Sequence, residues 1–98
     1  VSLDDAKAAA RGAALSILAS LKRELGDLDR VTAWLMVNGM VNAEPGYRET
    51  GNVLNGFSEF IVELYGPEIG QHARTGVGMA ALPLNNTVVV AAEVEIAL

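Results

Sequence analysis

The 98 residues contain no cysteine. That excludes disulfides, thiolate nucleophiles and cysteine-held zinc. Histidine is nearly missing as well. His72 is single, and spacing cannot assemble a metal cluster around it. Basic charge is scarce: seven Lys and Arg stand against twelve Asp and Glu, a net charge of −5. No clustered basic face is visible to neutralise phosphates, so nucleic acid is not an expected partner. Long apolar runs are lacking too. The most apolar stretch, Thr87–Ala92, is far too short to span a bilayer. The opening residues Val1-Ser2-Leu3-Asp4-Asp5-Ala6-Lys7 lack the basic start and apolar run of a signal peptide. A cytoplasmic protein without membrane contact is expected, and no metal or cofactor is called for.

What the chain does have is apolar content, 51% of residues. Much of it is alanine, which adds little buried area per residue, so one small domain with a thin core is expected. A domain of this size without a disulfide or metal staple often leans on a partner chain. Self-association is therefore the first expectation.

Ser2 is a good N-cap, with Asp5 three residues on as in a capping box. Ala6, Ala10, Ala14, Ile17, Leu21 and Leu25 recur every three or four residues, and Gly26 terminates. That spacing predicts a helix with one apolar stripe. In Val31–Asn42 the odd positions Val31, Ala33, Leu35, Val37, Gly39 and Val41 are all apolar or small. They predict a strand with that face under helices and the other face partly polar. After the turn Glu44-Pro45-Gly46, a second helix is expected from Thr50 to Tyr65. Val53, Phe57, Phe60, Ile61 and Leu64 form its apolar stripe, and Gly66-Pro67 ends it. A strand is expected over Thr75–Ala81, a hairpin turn at Leu84-Asn85-Asn86, and a last strand over Thr87–Ile96. The order α-β-α-β-β implies helices layered on one face of a sheet. Three strands bare on the other face would need covering.

Gly76-Val77-Gly78-Met79-Ala80-Ala81 matches the dinucleotide fingerprint by letter. That chemistry needs the turn between a strand and a helix. Here the segment itself reads as strand, so its small residues are better suited to close approach by a helix or ligand. Asn85-Asn86-Thr87 spells a glycosylation sequon, incidental without a secretory signal. His72 reads as a loop histidine, and Glu93 and Glu95 as a solvated strand end. Arg74 stands where loop meets strand among small residues. A guanidinium binds carboxylate through a forked pair of bonds, and Gly76 and Gly78 would leave space beside it. An exposed arginine in an ordinary ion pair is the competing reading.

The string from His72-Ala73-Arg74-Thr75-Gly76-Val77-Gly78 through Leu82-Pro83-Leu84 resembles the Arg-Ser-x-Val-x-Val-x-x-Leu-Pro signature of the YjgF-like proteins. These are also called the Rid (reactive intermediate deaminase) family or "endoribonuclease L-PSP". Ala8–Ala14 with Leu25-Gly26-Asp27-Leu28 resembles the family's first helix and its exit. Asn55-Gly56-Phe57-Ser58 with Leu64-Tyr65-Gly66 resembles its second helix. The resemblance implies a chorismate-mutase-like α+β fold, a mixed sheet with two helices on one face. It implies a homotrimer whose sheets form a central barrel. It also implies an N-terminal β-hairpin and strand before the first helix, which this sequence of one domain, residues 1–98, is expected to lack. Active members hydrolyse enamines and imines, such as 2-iminoacids, to ketoacids and ammonia in a pocket between subunits. By the motif match, Arg74 would hold the substrate carboxylate, with Asn55 and Thr75 as further substrate-binding residues. No catalytic residue is assigned. The glutamate often found six residues after the Leu-Pro proline is Val89 here, and the next same-face position is Ala91. The resemblance therefore implies either an imine/enamine deaminase or a non-catalytic trimer that binds small carboxylates. Ribonuclease activity is disfavoured by the acidic charge and the lack of a histidine pair.

Overall fold

The computed structural model describes residues 2–98. Helix α1 spans Leu3–Leu25. The Ser2 side chain accepts a hydrogen bond from the Asp5 amide at 3.1 Å, satisfying one of the free amides of the first turn. Asp4 and Asp5 lie at the positive end of the helix and Lys22 and Arg23 at the negative end, each favourable toward the dipole. Gly26, at φ 82°, returns its amide to the Lys22 carbonyl, a left-handed stop suited to glycine. A 3-10 turn, Leu28–Arg30, leads into strand β1, Val31–Asn42. Helix α2 follows at Thr50–Gly70, then strand β2 at Ala73–Met79 and strand β3 at Val88–Ile96.

The sheet order is β2-β1-β3. β1 pairs with β2 in parallel and with β3 antiparallel. Both helices cover one face. The architecture is thus the α+β arrangement expected, a mixed sheet with two helices on one side.

Three expectations change. Leu84 and Asn85 do take positive φ, 56° and 55°, as a tight turn requires, but β2 and β3 do not form a hairpin. They flank β1, and the segment between them arches over the end of that strand. The Asn42 amide bonds the Thr87 carbonyl and the Ala43 amide bonds the Met79 carbonyl, tying the arch down. β2 also begins and ends two residues earlier than Thr75–Ala81. The helix α2 does break at Gly66, which has φ 81° and ψ 166°, but Pro67 then opens a further turn to Gly70. A proline fits there because the first turn of a helix leaves its amides unbonded.

The third change concerns the faces of β1. Val31, Trp34, Val37, Gly39 and Val41 point to the helices, while Leu35 is 47% exposed. Two irregularities against β3 cause this. Residues 31 and 33 oppose the consecutive residues 96 and 95, and residues 34 and 36 oppose 94 and 93. Thr32 and Leu35 are therefore extra residues, each a β-bulge that resets the alternation by one. Inward residues come three apart, and Trp34 goes in where strict alternation would bury Ala33 and Leu35.

Helices α1 and α2 run parallel and very close. Ala6, Ala10 and Ala14 are buried at four-residue spacing. A Cβ on Gly56 would collide with the Lys7 carbonyl. On the sheet side Leu54, fully buried, fills the side-chain space above Gly39 and Gly76. Those two glycines are register partners on β1 and β2, so one leucine keys α2 to both strands. Leu54 was missing from the expected stripe, and Leu64, which was in it, is 53% exposed.

The core centres on Trp34, whose ring meets Phe57 at 6.2 Å and Tyr65 at 5.7 Å between centroids. The Tyr65 hydroxyl donates to the Leu28 carbonyl at 3.0 Å. Burial raises the Tyr65 pKa above its ordinary 10.0, and the carboxylates of Asp29 and Asp27 add to the rise. A raised pKa in the fold means the stabilisation is complete below pH 10.0, the unfolded value, and is lost as pH climbs through the folded value. Denaturant midpoints measured from neutral to strongly alkaline pH are expected to fall less steeply at the alkaline end in Tyr65→Phe. At neutral pH that variant loses about 0.5–1.5 kcal/mol with the hydrogen bond.

Candidate functional site: the Arg74 cluster

Gly51, Asn55 and Ser58 stand at i, i+4 and i+7 of α2, which places them on one stripe of the helix. That stripe faces the outer edge of the sheet. Along β2 the residues opposite Val37, Gly39 and Val41 are Arg74, Gly76 and Gly78, so these three share the helix side. The Arg74 guanidinium rises from the strand and meets the stripe. Its Nη1 donates to Asn55 Oδ1 at 2.9 Å and to Ser58 Oγ at 3.1 Å. Its Nη2 donates to the Gly51 carbonyl at 3.2 Å.

All three partners are neutral oxygens, which argues against the ordinary ion pair. The guanidinium is exposed and keeps its charge unmatched by these contacts. Of the five N–H groups of an arginine, the Nε–H and one Nη2–H remain for an incoming group. The Asn55 amide is itself fixed. Its Nδ2 donates to Asn52 Oδ1 at 3.4 Å, and Asn52 Nδ2 donates to Glu49 Oε2 at 3.1 Å. This chain turns the Asn55 oxygen toward Arg74.

His72 enters from the other side. Its Nδ1 lies 2.6 Å from the Gly70 carbonyl and its Nε2 lies 2.9 Å from Ser58 Oγ. A carbonyl only accepts, so Nδ1 carries the proton. In the neutral ring Nε2 is then bare and accepts the Ser58 hydroxyl proton. The Phe57 ring meets the imidazole edge-on, with centroids 6.4 Å apart. One directional chain results: Arg74 donates to Ser58, Ser58 to His72, and His72 to Gly70.

Of the residues singled out from sequence, Arg74 and Asn55 come together. Thr75 does not join them. It lies on the open face of the sheet, where its hydroxyl donates to Asn38 Oδ1 at 2.6 Å. Gly76 leaves no vacancy beside Arg74, because Leu54 occupies it. In the sequence Ser58 stands out only within the resemblance to the second helix, and His72 only as a loop residue. The i, i+3 pair Asn55 and Ser58 facing a strand arginine is the signal that could have found the cluster, but only once β2 is known to lie beneath α2. A separate cleft of about 630 Å³ opens at the far end of β1, between Asn42, Glu44, Tyr47, Asn85 and Thr87. None of the Arg74 cluster lines it. Among the described residues no group of three or more His, Asp or Glu could hold a metal.

Two helices on one face of a three-stranded mixed sheet give the chain the fold of the YjgF-like proteins, as its likeness to solved structures supports. Particular proteins resemble the chain in sequence and in structure. The chain is 41% identical over 96 residues to the protein TCP17 of Trypanosoma cruzi, covering 98% of this chain and 60% of that one. It superposes with TM-score 0.94 on the crystal structure of an Agrobacterium tumefaciens protein of unknown function. Identity there is 41%, over 99% of this chain and 62% of that protein. A Shewanella oneidensis protein whose endoribonuclease assignment is provisional superposes with TM-score 0.92 at 29% identity, over 98% and 63% of the two chains. The chain thus spans about three fifths of the length of these relatives. No protein-family model matches it. No helix among the described residues is long and apolar enough to cross a membrane.

Proposed function

We propose that this chain is the ligand-holding part of a YjgF-like protein of the reactive intermediate deaminase family. In this reading it binds small carboxylates at Arg74 and hydrolyses 2-iminoacids to ketoacids and ammonia. The observation that carries the reading is the Arg74 guanidinium, held by three neutral oxygens with two N–H groups still free. A cation so placed favours a carboxylate, and the fixed Asn55 and Ser58 oxygens set its orientation. Thr75, on the opposite face of the same edge strand, would reach a ligand that wraps the edge. Such wrapping fits a pocket completed by a neighbouring copy in a homotrimer, which would also cover the bare sheet face.

A second reading, a trimer that binds carboxylates without turnover, is supported by Val89 and Ala91 on β3. Both lie on the open face of the sheet, opposite Met40 and Asn38, and neither can handle a proton. The net charge of −5 speaks against an endoribonuclease.

The test is ammonia release from 2-iminobutanoate generated in situ, compared between the protein and Arg74→Ala. Loss of charge-assisted bonds of about 1.5–3 kcal/mol corresponds to a ten- to hundredfold or greater fall in kcat/KM. Equal rates in the two proteins would exclude the deaminase. Ketoacid binding by calorimetry without turnover would establish the second reading.

A further inference from the structure

Hydrolysis of an imine needs a group that takes a proton from water as its oxygen bonds to carbon, then returns one to the departing nitrogen. No carboxylate bonds directly to Arg74 or Ser58 in the cluster, and β3 offers Val89 and Ala91. The imidazole of His72 does join the cluster, through Ser58.

We infer that Ser58 and His72 form the proton relay of this site, with the Ser58 hydroxyl facing the ligand held by Arg74 and His72 acting through it. The inference rests on the deaminase reading above. Three features of the geometry carry it. The Gly70 carbonyl fixes the tautomer, so that the basic nitrogen Nε2 points at the hydroxyl, 2.9 Å away. The same hydroxyl oxygen lies 3.1 Å from Arg74 Nη1, which places it next to the carboxylate anchor. Both Ser58 and His72 are half-buried, so the relay is shielded but still reachable from the exposed guanidinium.

The steps balance. Water oxygen bonds to the imine carbon while the C=N π pair moves to nitrogen. The water proton goes to Ser58 Oγ as the Ser58 proton moves to His72 Nε2. The carbinolamine nitrogen then receives a proton back along the same path. The carbinolamine hydroxyl next gives its proton to the relay, which passes it to the same nitrogen as the C–N bond breaks. The bonding pair leaves with nitrogen as ammonia, and the oxygen closes the ketone. Nothing is oxidised or reduced, and the sum is iminoacid plus water to ketoacid plus ammonia. Around the imidazole, α2 presents Phe57 and Ser58, and β2 presents Arg74, the charged member of the cluster. Protonation of His72 fills Nε2 and removes the acceptor, so the relay fails on the acid side.

The experiment measures kcat and KM for 2-iminobutanoate across pH in the protein, in Ser58→Ala and in His72→Gln, with Arg74→Ala as reference. General acid–base catalysis is worth on the order of 10²–10⁴ in rate. The relay therefore predicts kcat at least about a hundredfold lower in His72→Gln, with KM little changed. The acid limb of the rate profile disappears in that variant, and imidazole added to His72→Ala restores turnover. A merely structural histidine would not control the limb. If Arg74→Ala is inactive while His72→Gln keeps both rate and limb, the relay is overturned and the deaminase stands. If the protein itself shows no turnover, the relay and the deaminase both fall.

Discussion

Trp34→Ala is expected to cost about 3–5 kcal/mol, the range for removing a buried large aromatic. The ring is 2% exposed and touches two aromatics of α2, Phe57 and Tyr65. Its removal leaves a void bordered by a strand and a helix that cannot both close on it. Against the roughly 5–15 kcal/mol that hold a domain together, such a loss takes a large share. Trp34→Phe is expected to cost less than half as much. Phenylalanine keeps most of the apolar contact, and it removes the indole Nε1–H, which is buried here with no acceptor. An unpaired buried donor costs about 1–3 kcal/mol, so its removal offsets part of the lost volume. Guanidinium unfolding of the three proteins decides the matter. Equal midpoints for Ala and Phe would show that Trp34 does not hold the layers together.

Gly56→Ala is expected to destabilise by about 1–2 kcal/mol net, although alanine is the better helix former. The new methyl would meet the Lys7 carbonyl, a backbone atom with no rotamer to yield. Relief requires α1 and α2 to separate along the contact that Ala6, Ala10 and Ala14 keep tight. Overpacking of this sort costs about 1–3 kcal/mol and sometimes more, beyond the gain of roughly 1 kcal/mol in propensity. Gly12→Ala supplies the opposite sign. Nothing lies within 4 Å of a Cβ at Gly12, so the same exchange is expected to stabilise by up to about 1 kcal/mol. Thermal unfolding of the pair measures both. Parallel shifts in the two would refute the close crossing.

The helices, their caps and the α+β class were legible because they rest on local signals: the Ser2 cap, the alanine spacing, the stop at Gly26. What failed was nonlocal. The apolar residues of Val31–Asn42 allow either face, and only pairing with β3 inserts the bulges that turn Trp34 inward. Leu84-Asn85-Asn86 signals a turn, and the chain does turn there, but not into a hairpin. The preference of β2 for the far side of β1 comes from the parallel crossover through α2 and leaves no mark on the turn itself. The cluster was half legible. Arg74 and Asn55 were marked by motif, whereas Ser58 and His72 belong to it only through the packing of α2 over the head of β2. Thr75 follows Arg74 in sequence, and for that reason alternation sends it to the other face.

The two bulges bear on how this chain can vary in length. A central strand is ordinarily the last place to lose a residue, since a slip of one reverses every side chain beyond it. Thr32 and Leu35 have no rung of their own opposite β3. Deleting either would close a bulge and leave Val31, Trp34, Val37 and Val41 on the faces they already hold. Deleting Asn38 would instead turn Gly39 away from Leu54. The middle of the sheet thus contains two positions where an inherited gap is compatible with an unchanged core, in a part of the fold where alignments normally admit none.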